Sequence, residues 1–151
     1  DWEVKVMDPE TGSEKFYAFK NALEGQGPTL LASLLANDGV WDSPNGNKNE
    51  YINVWAIQGL AGEMDPKCEV VNLVMEPNEF DLDFVGNPKS VILSGTCTVP
   101  EGLTEISRVR THYLTAVGGS WVFTEKHLPA GDPISVQANQ LVSYNVSISF
   151  E

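Results

Sequence analysis

The stretch ISVQANQLVSYNVSISFE, residues 134–151, decides the fold class of this chain. From residue 142 onward it alternates strictly between apolar side chains and small polar ones. The apolar positions are Val142, Tyr144, Val146, Ile148 and Phe150, and the polar positions are Ser143, Asn145, Ser147 and Ser149. A period of two residues is typical of a half-buried antiparallel strand. We therefore predict a strand over residues 142–150 that packs its apolar face, Phe150 included, on the core of an all-β fold.

The rest of the chain carries similar short segments, separated by turns rich in Gly, Pro and Asn. We predict further strands over residues 2–7, 15–20, 51–58, 68–75, 80–85, 90–99, 106–115 and 120–126. Asp8-Pro9 followed by Gly12 is a combination of residues that favours a tight turn, so we predict that the first two strands form a hairpin. At 151 residues the chain suits one domain over residues 1–151. The number and spacing of these strands predict an antiparallel β-sandwich that is jelly-roll-like.

One segment, residues 28–37, departs from the β pattern. Its leucines, at positions 30, 31, 34 and 35, follow the i, i+3, i+4 spacing of an amphipathic helix. Pro28 suits the first turn of such a helix, and Asn37-Asp38-Gly39 suits its end. We predict one short α-helix here, which plugs one end of the sandwich.

The chain is acidic, with 21 Asp and Glu against 9 Lys and Arg and a net charge of −12. Nucleic-acid backbones and anionic membrane surfaces repel such a protein, so neither is predicted as a partner. No run of residues approaches the roughly 20 consecutive apolar residues of a transmembrane helix. The composition is that of an ordinary globular domain.

The two cysteines, Cys68 and Cys97, lie in separate predicted strands. Two cysteines are too few for a disulfide scaffold, and buried free thiols are the commoner state for such a pair. A disulfide forms only if the two strands are neighbours. The sequence leaves both alternatives open and favours the thiols.

The histidine, cysteine and serine residues are not spaced as they are in known catalytic or metal-binding motifs. His112 and His127 both read as surface histidines, and no HxH, HExxH or CxxC pattern occurs. Gly118-Gly119-Ser120 reads as a hairpin turn, since it lacks the following glycine of a nucleophile elbow. We therefore predict no catalytic residue, no metal, no cofactor and no enzymatic activity.

Two further polar motifs also read as structural. The acidic residues 76–83 lack the register of a calcium-binding loop, and they are predicted to form a solvated outer face of a strand. Asn145-Val146-Ser147 matches a glycosylation sequon, but it lies inside the predicted last strand. We predict no ligand at either motif.

Three segments, taken in order, resemble small structural proteins of tailed bacteriophages. KNALEGQGPTLLASLL, residues 20–35, is similar to their Asn–Gly–Leu-Leu helix entry. NEYINVWAIQG, residues 49–59, resembles the strand that follows it. Residues 121–150 look like their closing hairpin, with an aromatic strand, a Pro-Ile-x-Val step, a polar turn and a long alternating strand. The three segments together cover about half of the chain.

The resemblance implies a virion component, either a head-decoration (cement) protein or a tail-appendage or fibre module. Such proteins act as oligomers, often trimers, which assemble with major capsid or tail proteins in the host cytoplasm and sometimes bind a host surface glycan. An assembly interface needs apolar anchors at its centre. The candidates are Trp41, Trp55 and Trp121, with burial in the core as the alternative for each.

A ligand-binding protein is the alternative function. A lipocalin-like or carbohydrate-binding β-barrel or sandwich, secreted or lipid-anchored in a bacterium, fits a strand count near eight and Trp2 at the start of the first strand. The early predicted helix argues against a lipocalin-like barrel. In the carbohydrate-binding version, Trp41 or Tyr51 stacks on a sugar.

Overall fold

A computed structural model of the chain describes residues 1–20, 22–23, 52–63, 65–73, 76–78, 90–115 and 120–149. These residues form twelve strands and no helix. The strands are β1 (Trp2–Met7), β2 (Glu14–Phe19), β3 (Ala22–Leu23), β4 (Ile52–Leu60), β5 (Lys67–Leu73), β6 (Glu76–Pro77), β7 (Ser90–Thr98), β8 (Glu105–Ile106), β9 (Arg108–Thr115), β10 (Ser120–His127), β11 (Ile134–Ser135) and β12 (Leu141–Ser149). The helix predicted over residues 28–37 and the strand predicted over residues 80–85 lie outside the described residues.

The strands form two large antiparallel sheets, which we call sheet A and sheet B. Sheet A has the order β2-β1-β12-β7-β6, and sheet B has the order β3-β10-β9-β4-β5. A small third sheet pairs β11 with β8. Among the described strands, the chain crosses between the two large sheets four times, from β2 to β3, from β5 to β6, from β7 through β8 to β9, and from β10 through β11 to β12. The predicted all-β antiparallel fold is confirmed, and the eight long strands fall within a few residues of the predicted ones.

The last strand, β12, is a central strand of sheet A. It pairs with β1 on one side, from Met7↔Leu141 to Trp2↔Val146, and with all of β7 on the other. Val142, Tyr144 and Val146 are at most 2% exposed. Asn145 on the opposite face is exposed. The predicted alternation is therefore confirmed, because only one face of the strand reaches the core; Phe150 lies outside the described residues.

Both sheets contribute to a single hydrophobic core, so the fold is sandwich-like. Its largest fully buried side chains are Trp2, Tyr113, Tyr144, Ile57, Leu60, Leu93, Leu103, Ile106, Ile134, Val4 and Val99. They come from the inner faces of both large sheets, from the small sheet, which contributes Ile106 and Ile134, and from the segment between β7 and β8, which contributes Val99 and Leu103. The apolar alternation of the sequence therefore becomes a core between two layers.

Tyr144 reaches across this core from sheet A to sheet B. Its hydroxyl donates a hydrogen bond to the backbone carbonyl of Cys68 on β5, at 3.2 Å. Gly59 on β4 leaves room for that hydroxyl, because a Cβ atom there would collide with it and would lie 2.9 Å from Ile106 Cδ1. Burial raises the pKa of Tyr144 above its ordinary range, so the phenol stays protonated and keeps donating.

A disulfide joins the two sheets beside Tyr144. Cys68 of β5 and Cys97 of β7 are bonded, with their Cα atoms 5.7 Å apart. Both residues are buried, at 0% and 8% exposure. The expectation of free thiols was wrong, because β5 and β7 belong to different sheets and meet face to face across the core. Alternation along a strand shows which face is buried, but not which strand lies opposite.

Candidate interaction site

The three tryptophans predicted as interface anchors have different outcomes. Trp41 lies outside the described residues. Trp55 is 6% exposed, and its ring meets those of Phe123 and Tyr113 edge to face, with centroids 5.0 and 5.9 Å apart. Trp121 is half-buried and packs against the margin of the core. Trp55 therefore lies in the core, which is the alternative given for it, and its role as an interface anchor stays a prediction. Part of the Trp121 side chain remains exposed to solvent.

The most exposed large apolar side chain of the described residues is Phe16 on β2, at 72%. Val71, at 47%, is the next. β2 ends sheet A, and no described strand pairs with its outer edge. Phe16 lies opposite Lys5 of β1 on the outer face, with Lys5 Nζ 5.9 Å from the ring centroid. An exposed aromatic ring at the margin of a sheet is a typical contact residue.

The hairpin turn between β1 and β2 sets the position of Phe16. The Asp8 carboxylate accepts hydrogen bonds from the backbone N–H groups of Glu10 and Thr11, at 2.9 and 3.2 Å, which hold the pKa of Asp8 below its ordinary value. Gly12 closes the turn with a φ of +69°, a conformation that favours glycine. This turn fixes the register Met7↔Glu14 and thereby places Lys5 opposite Phe16.

An apolar cavity of about 310 Å³ lies beside the same strand. Tyr17 and Phe19 of β2 form one wall, and Leu128 and Ile134 are among the side chains opposite. Lys126 and Asp132 also line it and add one charge of each sign. We call it the β2 cavity. It exists because the inner face of β2 is covered only in part, so Tyr17 and Phe19 remain half-buried.

The outer face of sheet B carries a second cluster of polar groups. Arg108 forms ion pairs with Glu63 and Glu125, at 3.0 and 3.7 Å. Lys67 lies 3.5 Å from a Glu69 oxygen. Arg110 Nε donates to Gln58 Oε1 at 2.7 Å. These groups bind one another, and Arg108 and Gln58 are at most 6% exposed, so the cluster satisfies its own polar groups.

The two histidines lie near this face in different surroundings. His127 is 69% exposed, and its Nε2 lies 2.8 Å from Glu125 Oε1, so the surface prediction is confirmed for it. His112 is only 8% exposed, and its Nδ1 lies 2.9 Å from Ser120 Oγ. Burial, helped by the nearby Arg110, lowers the pKa of His112 to about 4. The surface prediction was wrong for His112, whose side chain is buried although Arg110, two residues before it on β9, is only half-buried.

His112 is expected to make the protein less stable as the pH falls from about 6.5 to 4. Its folded pKa lies below the ordinary value of 6.5, so the unfolded chain takes up the proton first. The full shift corresponds to roughly 3 kcal/mol of unfolding free energy, present above pH 6.5 and lost on the way to pH 4. Urea unfolding at pH 7, 6 and 5 measures this loss, which should be smaller in His112→Gln. The matched control is the exposed His127→Gln, and equal pH profiles for both variants would contradict the assignment.

The described ranges contain neither a metal site nor a membrane-spanning helix. No three His, Cys, Asp or Glu side chains there are arranged to hold a metal ion. No helix in those ranges is long and apolar enough to cross a membrane.

Sequence reasoning missed Phe16 and the β2 cavity. The segment KFYAFK, residues 15–20, nevertheless carried a signal, because aromatic residues occur on both faces of one strand with a lysine at each end. Lysine is common on strands at the margin of a sheet, where it discourages edge-to-edge pairing. Comparisons of the chain with protein-family models, curated protein sequences and solved structures found no match.

Proposed function

We propose that this chain is a non-enzymatic structural protein that works by protein–protein assembly through the surface around β2. Its setting in this proposal is the virion of a tailed bacteriophage, as a head-decoration (cement) or tail-appendage protein. The partners are copies of itself and other virion proteins such as the major capsid or tail proteins. The observation that carries the proposal is the exposed ring of Phe16 next to the apolar β2 cavity.

Two features of the scaffold support an assembly role. Phe16 is held on a hairpin whose turn and register are fixed by hydrogen bonds, so little order has to be gained when a partner binds. The two sheets are cross-linked by Cys68–Cys97, which favours a rigid body over an adaptable one. A rigid unit that carries a protruding aromatic side chain such as Phe16 suits repeated, identical contacts.

The jelly-roll arrangement remains part of the proposal. In its favour, β12 pairs with β1 and lies next to β7 in sheet A. In both sheets, however, consecutive strands also lie side by side, as β1–β2 and β6–β7 do in sheet A and β4–β5 and β9–β10 do in sheet B. These four pairs are meander-like, so the support for a jelly-roll-like sandwich comes from the position of β12 between β1 and β7.

Carbohydrate binding is the second candidate, and the β2 cavity favours it. A volume of about 310 Å³ lies at the small end of ligand sites. Tyr17 and Phe19 offer aromatic surface for a sugar ring, and Asp132 and Lys126 offer polar groups for its hydroxyls. A host surface glycan is the ligand that joins this candidate to the first one.

Phe16→Ser is expected to weaken binding of the purified chain to a capsid or tail preparation at least tenfold, because the change removes the apolar contact and leaves the fold intact. Co-sedimentation with the particles, together with light scattering of the free chain, measures this. Val71→Ser, at the other exposed apolar position, is the matched control. A chain that binds no particle and instead binds a glycan through the β2 cavity would refute the assembly proposal and establish the second candidate.

A further inference from the structure

We infer that the partner of Phe16 is the β2 cavity of a second copy of this chain. This inference rests on the proposed assembly function and names the two surfaces that meet. The exposed ring of one copy enters the apolar cavity of the other, where Tyr17, Phe19 and Leu128 surround it.

The shapes and polarity of the two surfaces match. Phe16 is a single protruding phenyl group, 72% exposed. The β2 cavity, at about 310 Å³, has room for one such ring and is walled by aromatic and aliphatic side chains. Offset or edge-to-face contacts with Tyr17 and Phe19 are the arrangements that aromatic rings prefer. An aromatic anchor in an apolar pocket is the usual centre of a protein interface.

The charges beside the two surfaces also match. Phe16 is flanked by an ion pair, Lys5 Nζ to Glu14 Oε1 at 3.0 Å, whose side chains are 35% and 38% exposed. The β2 cavity is lined by Lys126 and Asp132. In the proposed complex, Glu14 of one copy faces Lys126 of the other and Lys5 faces Asp132, because this is the pairing that brings opposite charges together. A chain of net charge −12 repels its own copies, so an interface between copies has to be locally complementary.

The position of both surfaces on β2 bears on the symmetry of the assembly. Phe16 lies on the outer face of β2 and the cavity wall on its inner face, so each copy carries both surfaces. Mutual exchange of the rings about a two-fold axis gives a closed dimer. One-way insertion repeated around a ring gives a trimer or a larger closed assembly. The mass of the complex shows which arrangement is formed, and the same two surfaces meet in both.

Sedimentation equilibrium of the full chain tests the inference. The wild-type chain is expected to self-associate, and Phe16→Ser is expected to weaken the association 10- to 100-fold. Glu14→Lys and Lys126→Glu should each weaken it several-fold, since each places like charges together. The double variant Glu14→Lys/Lys126→Glu should recover most of the loss, because the pair is then restored with its signs exchanged.

The controls separate this inference from the proposed function. Circular dichroism shows whether each variant is folded, and Val71→Ser should associate as the wild type does. A wild-type chain that stays monomeric at several hundred micromolar overturns the inference, as does a Phe16→Ser variant that associates normally. If that monomer still binds capsids or tails through Phe16, the proposed function stands and its partner is another virion protein.

Discussion

Replacing both Cys68 and Cys97 by alanine is expected to lower the free energy of unfolding by about 3 to 4 kcal/mol. The two residues are 29 positions apart in the chain, and the cross-link restricts the unfolded chain by an amount that grows with the length of the closed loop. Urea unfolding of the wild-type and double-variant proteins measures the difference. The variant should also show a larger dependence on urea, since an open unfolded chain exposes more surface.

Wild-type protein unfolded in the presence of a reductant is the matched control for the double variant. Both lack the cross-link, so their unfolding midpoints should nearly coincide. Reductant added to the folded protein should act slowly, because both cysteines are at most 8% exposed and must first be uncovered. A double variant as stable as the oxidised wild type would show that the bond between the sheets does not form in solution.

Trp55→Ala is expected to cost about 3 to 5 kcal/mol of stability, as large-to-small changes of buried aromatic residues do. Its indole is 6% exposed and contacts both Phe123 and Tyr113, so alanine leaves a cavity between the sheets. Thermal unfolding followed by circular dichroism measures the loss. Self-association of the remaining folded protein should be unchanged.

Trp121→Ala is the comparison variant for Trp55→Ala. Trp121 is half-buried at the margin of the core, so its removal should cost less stability than that of Trp55. The opposite pattern, a stable Trp55→Ala protein that fails to assemble, would show that Trp55 is an interface anchor. Phe16→Ser should show the reverse of Trp55→Ala, with normal stability and weakened assembly.

The strands and their buried faces could be predicted because they depend on local patterns. The alternation from Val142 to Ile148, the turn at Asp8 and the apolar residues of β4 each follow from the neighbouring residues alone. The strands of two residues, such as β3 and β11, could not be predicted, since two residues carry no period.

Features that depend on which strands pair or face each other could not be predicted from the sequence. Whether Cys68 meets Cys97 depends on which strands face each other across the core, and the burial of His112 likewise depends on contacts beyond its own strand. Phe16 is exposed because it lies on the outer face of β2, the end strand of sheet A. The strand over residues 15–20 could be predicted from the sequence, but its position at the end of sheet A could not. The candidate site was therefore missed.

The central position of β12 has a consequence for how the chain folds. Sheet A consists of two separate pieces, β2–β1 and β7–β6, until residues 141–149 enter between them. These contacts join residues as far apart as Asp1 and Ser147, 146 positions along the chain. Such long-range pairing is slow, on the order of milliseconds to seconds for all-β domains. On a ribosome, β1 must therefore wait until residues 141–149 have been synthesised, and its apolar face needs protection from other chains until β12 arrives.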